Sequence, residues 1–152
     1  MSELLRDLWY FAALSRELKP GRLQRKLLLG EPVVLGRTAA GVAFALRDIC
    51  PHRAAPLSAG KIVDVDGAPT VECPYHGWRF RTDGRCAAIP SLVDEQAMDV
   101  SRIRVARYPV SEQAGLLWIY MPSDLKRPAE PALPPPDFSE LAVGGAPRLV
   151  DR

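Results

Sequence analysis

The sequence predicts an all-β protein, an antiparallel β-sandwich with a small subdomain made of two ligand loops. Three observations lead there. Short apolar and β-branched runs recur through most of the 152 residues, each closed by Gly, Pro or Asp turn residues. The runs at 105–110 and 116–121 flank a polar segment at 112–115, as the arms of a closing hairpin do. The only 2 histidines each stand beside a cysteine, in Cys50-Pro51-His52 and Cys73-Pro74-Tyr75-His76, and both segments lie between predicted strands.

From the N-terminus, residues 9–13 (WYFAA) form a compact aromatic run suited to a strand. Residues 23–29 and 32–37 are β-rich and flank a break at Gly30-Glu31. Residues 42–47 alternate loosely and lead into the first ligand loop. Asp66-Gly67 is a strong hairpin-turn signal, so a hairpin fills the space between the two loops. Residues 70–72 enter the second loop, and 78–81 leave it toward a turn at Asp83-Gly84. A brief helix is expected over 91–98. Beyond Met121, prolines at 122, 128, 131 and 134–136 are too dense for a helix or a central strand. The expected organisation is a domain over 1–121 and a semi-rigid connector over 122–152, leading toward a second domain absent from this chain.

A chain of 152 residues, 47% of them hydrophobic, buries a full core unaided. Its net charge of +2 is too small to imply a nucleic-acid partner. The local group Lys19, Arg22, Arg25 and Lys26 reads as a solvated face. No apolar run approaches membrane-spanning length, and Glu3, Arg6 and Asp7 interrupt the start where a signal sequence is apolar. These features imply no membrane partner and a cytoplasmic location. With 3 cysteines, two of them candidate metal ligands, no disulfide framework forms. Cys86 reads as a packed core thiol.

The two Cys/His segments carry the chemistry. Each offers one thiolate and one imidazole, so together they make a set of four metal ligands: Cys50, His52, Cys73 and His76. Zinc is the competing occupant. Structural zinc sites usually pair Cys with Cys and His with His, whereas both pairs here are mixed. Cys-x-His is also tight for two ligands of one tetrahedral ion. A histidine packed in a core is the commoner fate of an isolated His, but neither of these is isolated from a thiol.

The run CPYHGWRF at 73–80, with Asp48-Ile49-Cys50-Pro51-His52-Arg53, Pro56-Leu57-Ser58, Trp9-Tyr10 and Leu117-Trp118-Ile119-Tyr120, resembles a known family. From residue 9 to about 121 the chain looks like the N-terminal Rieske 2Fe–2S domain of Rieske non-haem iron oxygenases, in particular the single-component demethylase-like members acting on aromatic compounds. The resemblance implies a Rieske-type β-sandwich and one Rieske 2Fe–2S cluster, with Cys50 and Cys73 on one iron and His52 and His76 on the other. Between His52 and Cys73 lie twenty residues, 53–72, more than the family usually shows; the excess falls around 63–67. Respiratory-type members carry a second Cys pair as a disulfide between the loops; this chain has Ala55 and Tyr75 at the matching positions, so no such clasp forms. They also place a Ser and a Tyr hydroxyl near the cluster, where this chain has Trp78 and Phe80. Hydrogen bonds to sulfur stabilise the reduced cluster, so their loss implies a potential near the low end of the Rieske range, about −150 mV.

In the family, a reductase or ferredoxin feeds electrons to this domain, which passes them to a mononuclear iron, usually in a neighbouring subunit. Such an iron needs two His and a carboxylate. Both histidines of this chain are already assigned, so the non-haem Fe(II) is expected only in the missing catalytic domain, and the chain alone should not be catalytic. The alternative is a stand-alone Rieske ferredoxin, a soluble electron carrier. The N-terminal aromatic segment and the proline-rich exit favour the oxygenase. The imidazoles are expected on an exposed tip, with a potential that falls in the alkaline range. Arg53, Arg79 and Arg81 could steer an acidic donor or be ordinary surface arginines. Tyr75 and Trp78 should pack the loops.

Overall fold

The computed structural model describes residues 6–51, 54–75, 77–89, 102–125, 131, 134 and 135. Their strands, in chain order, are β1 (Leu8–Leu14), β2 (Leu23–Leu28), β3 (Glu31–Arg37), β4 (Ala43–Arg47), β5 (Lys61–Val65), β6 (Ala68–Glu72), β7 (Arg79–Arg81), β8 (Cys86–Ala88), β9 (Arg107–Tyr108), β10 (Val110–Gln113) and β11 (Leu116–Met121). They form three antiparallel sheets, ordered β1-β11-β10, β2-β3-β4-β9 and β5-β6-β7-β8. The all-β antiparallel fold expected from the sequence is the fold observed. No helix among the described residues is long and apolar enough to cross a membrane.

The two central strands of the middle sheet, β3 and β4, are buried on both faces, and period-2 alternation sorts their side chains between two cores. Val33 and Leu35 of β3 and Ala45 of β4 pack with Ala12, Ala13, Leu117, Ile119 and Met121 of the first sheet. Val34, Phe44 and Leu46, one residue out of step, pack with Val71, Phe80 and Cys86 of the third sheet. Val33, Val34 and Leu35 are all fully buried. Each stabilises the fold by about 1.5–3 kcal/mol relative to exposure.

The third sheet is an excursion from the middle one. β4 pairs with β9 through Ala45↔Tyr108 and Leu46↔Arg107, and the Arg47 amide donates to the Ala106 carbonyl at 2.9 Å. The chain between those partners forms the subdomain. Its first hairpin, β5–β6, turns at Asp66-Gly67 with φ of 53° and 81°. Left-handed values at both positions match the twist of the strands, as Asp-Gly in the sequence required.

Two boundaries differ from expectation. The break expected at Gly30-Glu31 lies one residue earlier, at Leu29-Gly30, because Glu31 already pairs with Leu28. The segment expected as one arm of the closing hairpin, 105–110, is split at Pro109. Tyr108 joins the middle sheet, while Val110–Gln113 pairs with β11 around Ala114-Gly115. Pro109 lacks an N–H to continue a ladder. The hairpin expected between the ligand loops is β5–β6, while strand β8 and the short 3-10 turns Ser15–Glu17 and Leu57–Ala59 have no counterpart in the sequence expectation. The helix expected over 91–98 and the connector beyond Leu125, apart from residues 131, 134 and 135, lie outside the described residues.

Candidate metal centre

The first ligand loop leaves β4 through Asp48, whose amide donates to the Pro32 carbonyl at 3.0 Å. It folds back at once. The Cys50 amide donates to the Ala55 carbonyl at 2.8 Å, and the Ala54 amide to the Cys50 carbonyl at 2.7 Å. Ala54 is held at φ 58°, a left-handed value that costs about 1–2 kcal/mol for a residue with a Cβ. The loop is then clamped from below. The Asp48 carboxylate accepts the Ser58 amide at 2.7 Å, the Ser58 hydroxyl at 2.6 Å and the Arg25 guanidinium at 2.9 Å. Its side chain is 0% exposed, so these partners replace water entirely.

The second loop is shorter. The Cys73 amide donates to the Trp78 carbonyl at 2.7 Å, closing the loop, and the Tyr75 amide points at Cys73 Sγ from 3.4 Å. Glu72 and Arg79, paired across β6 and β7, lock its stem with contacts of 3.0 and 2.8 Å. The two loops meet because Gly60 lacks a side chain: a Cβ there would run into the carbonyl oxygen of Glu72.

Cys50 and Cys73, distant in sequence, are both buried in one core with Leu57, Val71 and Phe80. Burial pushes the Cys73 thiol up to about 11, helped by the neighbouring Cys50 thiol and opposed by the Tyr75 amide. Two thiolates side by side out of water are unfavourable alone, and a bound cation is what stabilises them. The donor set therefore fits a thiolate-held metal. His52 and His76, with Arg53, lie outside the described residues.

The model of the Rieske [2Fe-2S] domain matches residues 8–109. This chain belongs to the Rieske domain family. Similar proteins include the oxygenase subunit of 3-chlorobenzoate-3,4-dioxygenase from Comamonas testosteroni, 39% identical over 88% of this chain and 30% of that protein. Apo dicamba monooxygenase superposes with a TM-score of 0.71 at 38% identity, over 91% of this chain and 39% of that one. The complex of oxygenase and ferredoxin in carbazole 1,9a-dioxygenase gives 0.70 at 31% identity, over 88% and 33%. The chain thus spans about a third of the length of these relatives. A Rieske domain implies a 2Fe–2S cluster and an electron-transfer role.

Cys50 and Cys73, expected to share one iron, lie in one buried core. All three cysteines are free, and Cys86 is a buried core thiol raised by burial, with Sγ 3.8 Å from the Ala88 carbonyl. Trp78 packs against the same core, and Tyr75 is 47% exposed. Arg25 is not merely solvated, since it pairs with Asp48, and Arg79 is tied to Glu72. The roles of Asp48, Ser58 and Gly60 were missed. A lone acid two residues before a ligand, with a serine ten residues on, was the available signal.

Proposed function

We propose that the chain is the electron-transfer domain of a Rieske oxygenase that hydroxylates or demethylates an aromatic compound. Cys50 and Cys73 would hold one iron of the cluster, and His52 and His76 the other. Bound there, the cluster supplies reversible one-electron storage at a potential set by its ligands. The chain's own residues hold the ligand loops rigid, exclude water from the thiolates and leave an exit. Pro51 and Tyr75, neighbours of the proposed imidazole ligands, are exposed. The donor would be a reductase or ferredoxin, and the acceptor a mononuclear iron in a catalytic domain that this chain cannot supply, possessing only 2 histidines. Residues 122–152 would connect the two domains, in a cytoplasmic protein without membrane or nucleic-acid partners.

The convergence of Cys50 and Cys73, each followed within three residues by a histidine, carries this reading. Similarity to oxygenase subunits supports it over a free-standing carrier. Metal and acid-labile sulfide analysis tests it. About two irons and two sulfides per chain are expected, with a redox midpoint near −150 mV. Zinc without sulfide would remove the reading, and a midpoint well above zero would remove the oxygenase assignment.

A further inference from the structure

We propose that Arg25, Asp48 and Ser58 form a clasp that positions the first ligand loop and sets the reduction potential of the metal centre. This rests on the reading that Cys50 is a cluster ligand.

The geometry separates two tasks. Asp48 Oδ1 takes the Ser58 amide, while Oδ2 takes the Ser58 hydroxyl and Arg25. Both ends of the loop are therefore tied to one carboxylate, with Cys50 between them. The second task is electrostatic. The Asp48 Cα lies within about 7 Å of that of Cys50, the reach of two residues. A 0%-exposed carboxylate two residues from a ligand is weakly screened. Adding an electron makes the centre more negative, so Asp48 lowers the potential. Arg25 acts in the opposite sense, but its side chain is 49% exposed and its influence is the more sensitive to salt. Asp48 is a positioning residue whose charge is read by the metal centre, and Arg25 trims that charge.

The test is a redox titration of the intact, cluster-loaded chain and its variants, with the electron paramagnetic resonance spectrum of the reduced state recorded alongside. Asp48→Asn removes the charge and keeps the acceptor for the Ser58 amide, so its midpoint should move up. Arg25→Gln should move it down, by less at high salt, and Arg25→Lys should restore it. A merely structural clasp would shift both variants alike or neither, and that result overturns the proposal. Should Asp48→Asn fail to hold a cluster, Arg25→Gln decides alone, and an unchanged or raised midpoint overturns the idea. Absence of iron and sulfide in the unaltered chain would overturn the cluster reading as well, which tells the two failures apart.

Discussion

Replacing Ser58 by Ala removes one hydrogen bond from a carboxylate that has no access to water. The hydroxyl lies 2.6 Å from Asp48 Oδ2, and the Asp48 side chain is 0% exposed. A hydrogen bond to a charged group contributes about 1.5–3 kcal/mol net. The Ser58 amide and Arg25 remain as partners, so the expected loss is near the middle of that range, about 2 kcal/mol. Such a loss is roughly a 30-fold change in an equilibrium constant. Loss of a metal centre makes unfolding irreversible, so the quantity to compare is a rate. After a jump into fixed urea, the visible absorbance of Ser58→Ala should bleach several-fold faster than that of the unaltered chain, with about 30-fold as the ceiling. Ser123→Ala is the control, because its hydroxyl meets Asp7 at 3.3 Å on the exposed surface. That variant should change stability by less than about 0.5 kcal/mol. Equal bleaching rates for the two variants would refute the claim that burial of Asp48 gives the contact its strength.

Gly60→Ala should abolish assembly of the metal centre, because the new methyl meets the Glu72 carbonyl backbone rather than a flexible side chain; iron content per chain measures this. Glu112 is held below the usual carboxylate range by its hydrogen bonds to Arg37, at 3.0 and 2.8 Å. A depressed carboxylate stabilises the fold above its unfolded value of about 4.3 and ceases to do so as pH falls through the lower folded value. Unfolding rates of the unaltered chain and Glu112→Gln should therefore differ at neutral pH and converge in acid. Val33→Ala and Val34→Ala remove the same atoms from equally buried sites and should each cost about 2 kcal/mol. Only Val34 faces the core that holds both thiols, so only its variant should alter the spectrum of the reduced metal centre.

What the sequence showed and what it hid have physical causes. Asp66-Gly67 was legible because left-handed backbone at two successive positions leaves few residue choices. The thiol pair was legible because metal chemistry restricts residue type more than packing does. The split at Pro109 was harder: an apolar run on either side of a proline looks continuous until two sheets compete for it. β8, at Cys86–Ala88, is three residues long and too short for an alternation to register. The Asp48 clasp was hidden for another reason. An acidic residue beside a ligand loop looks like ordinary surface charge, and only its three donors, drawn from positions 25 and 58, reveal its burial.

The layering explains why the ligand loops can be stiff without a disulfide between them. None of the three cysteines is in a disulfide, so no disulfide joins one loop to the other. Each loop is instead closed on itself by backbone bonds, Cys50 to Ala55 and Cys73 to Trp78. Each is also anchored to a different sheet, the first to β4 and the second to β6 and β7. What couples them is the core on the inner face of the middle sheet, where Val34 and Leu46 from one sheet and Val71 and Phe80 from the other surround Cys50 and Cys73. Close-packed interiors transmit displacement instead of absorbing it. A shift of one sheet against the other is therefore also a shift of one thiol against the other, and packing performs the task that a disulfide would otherwise perform.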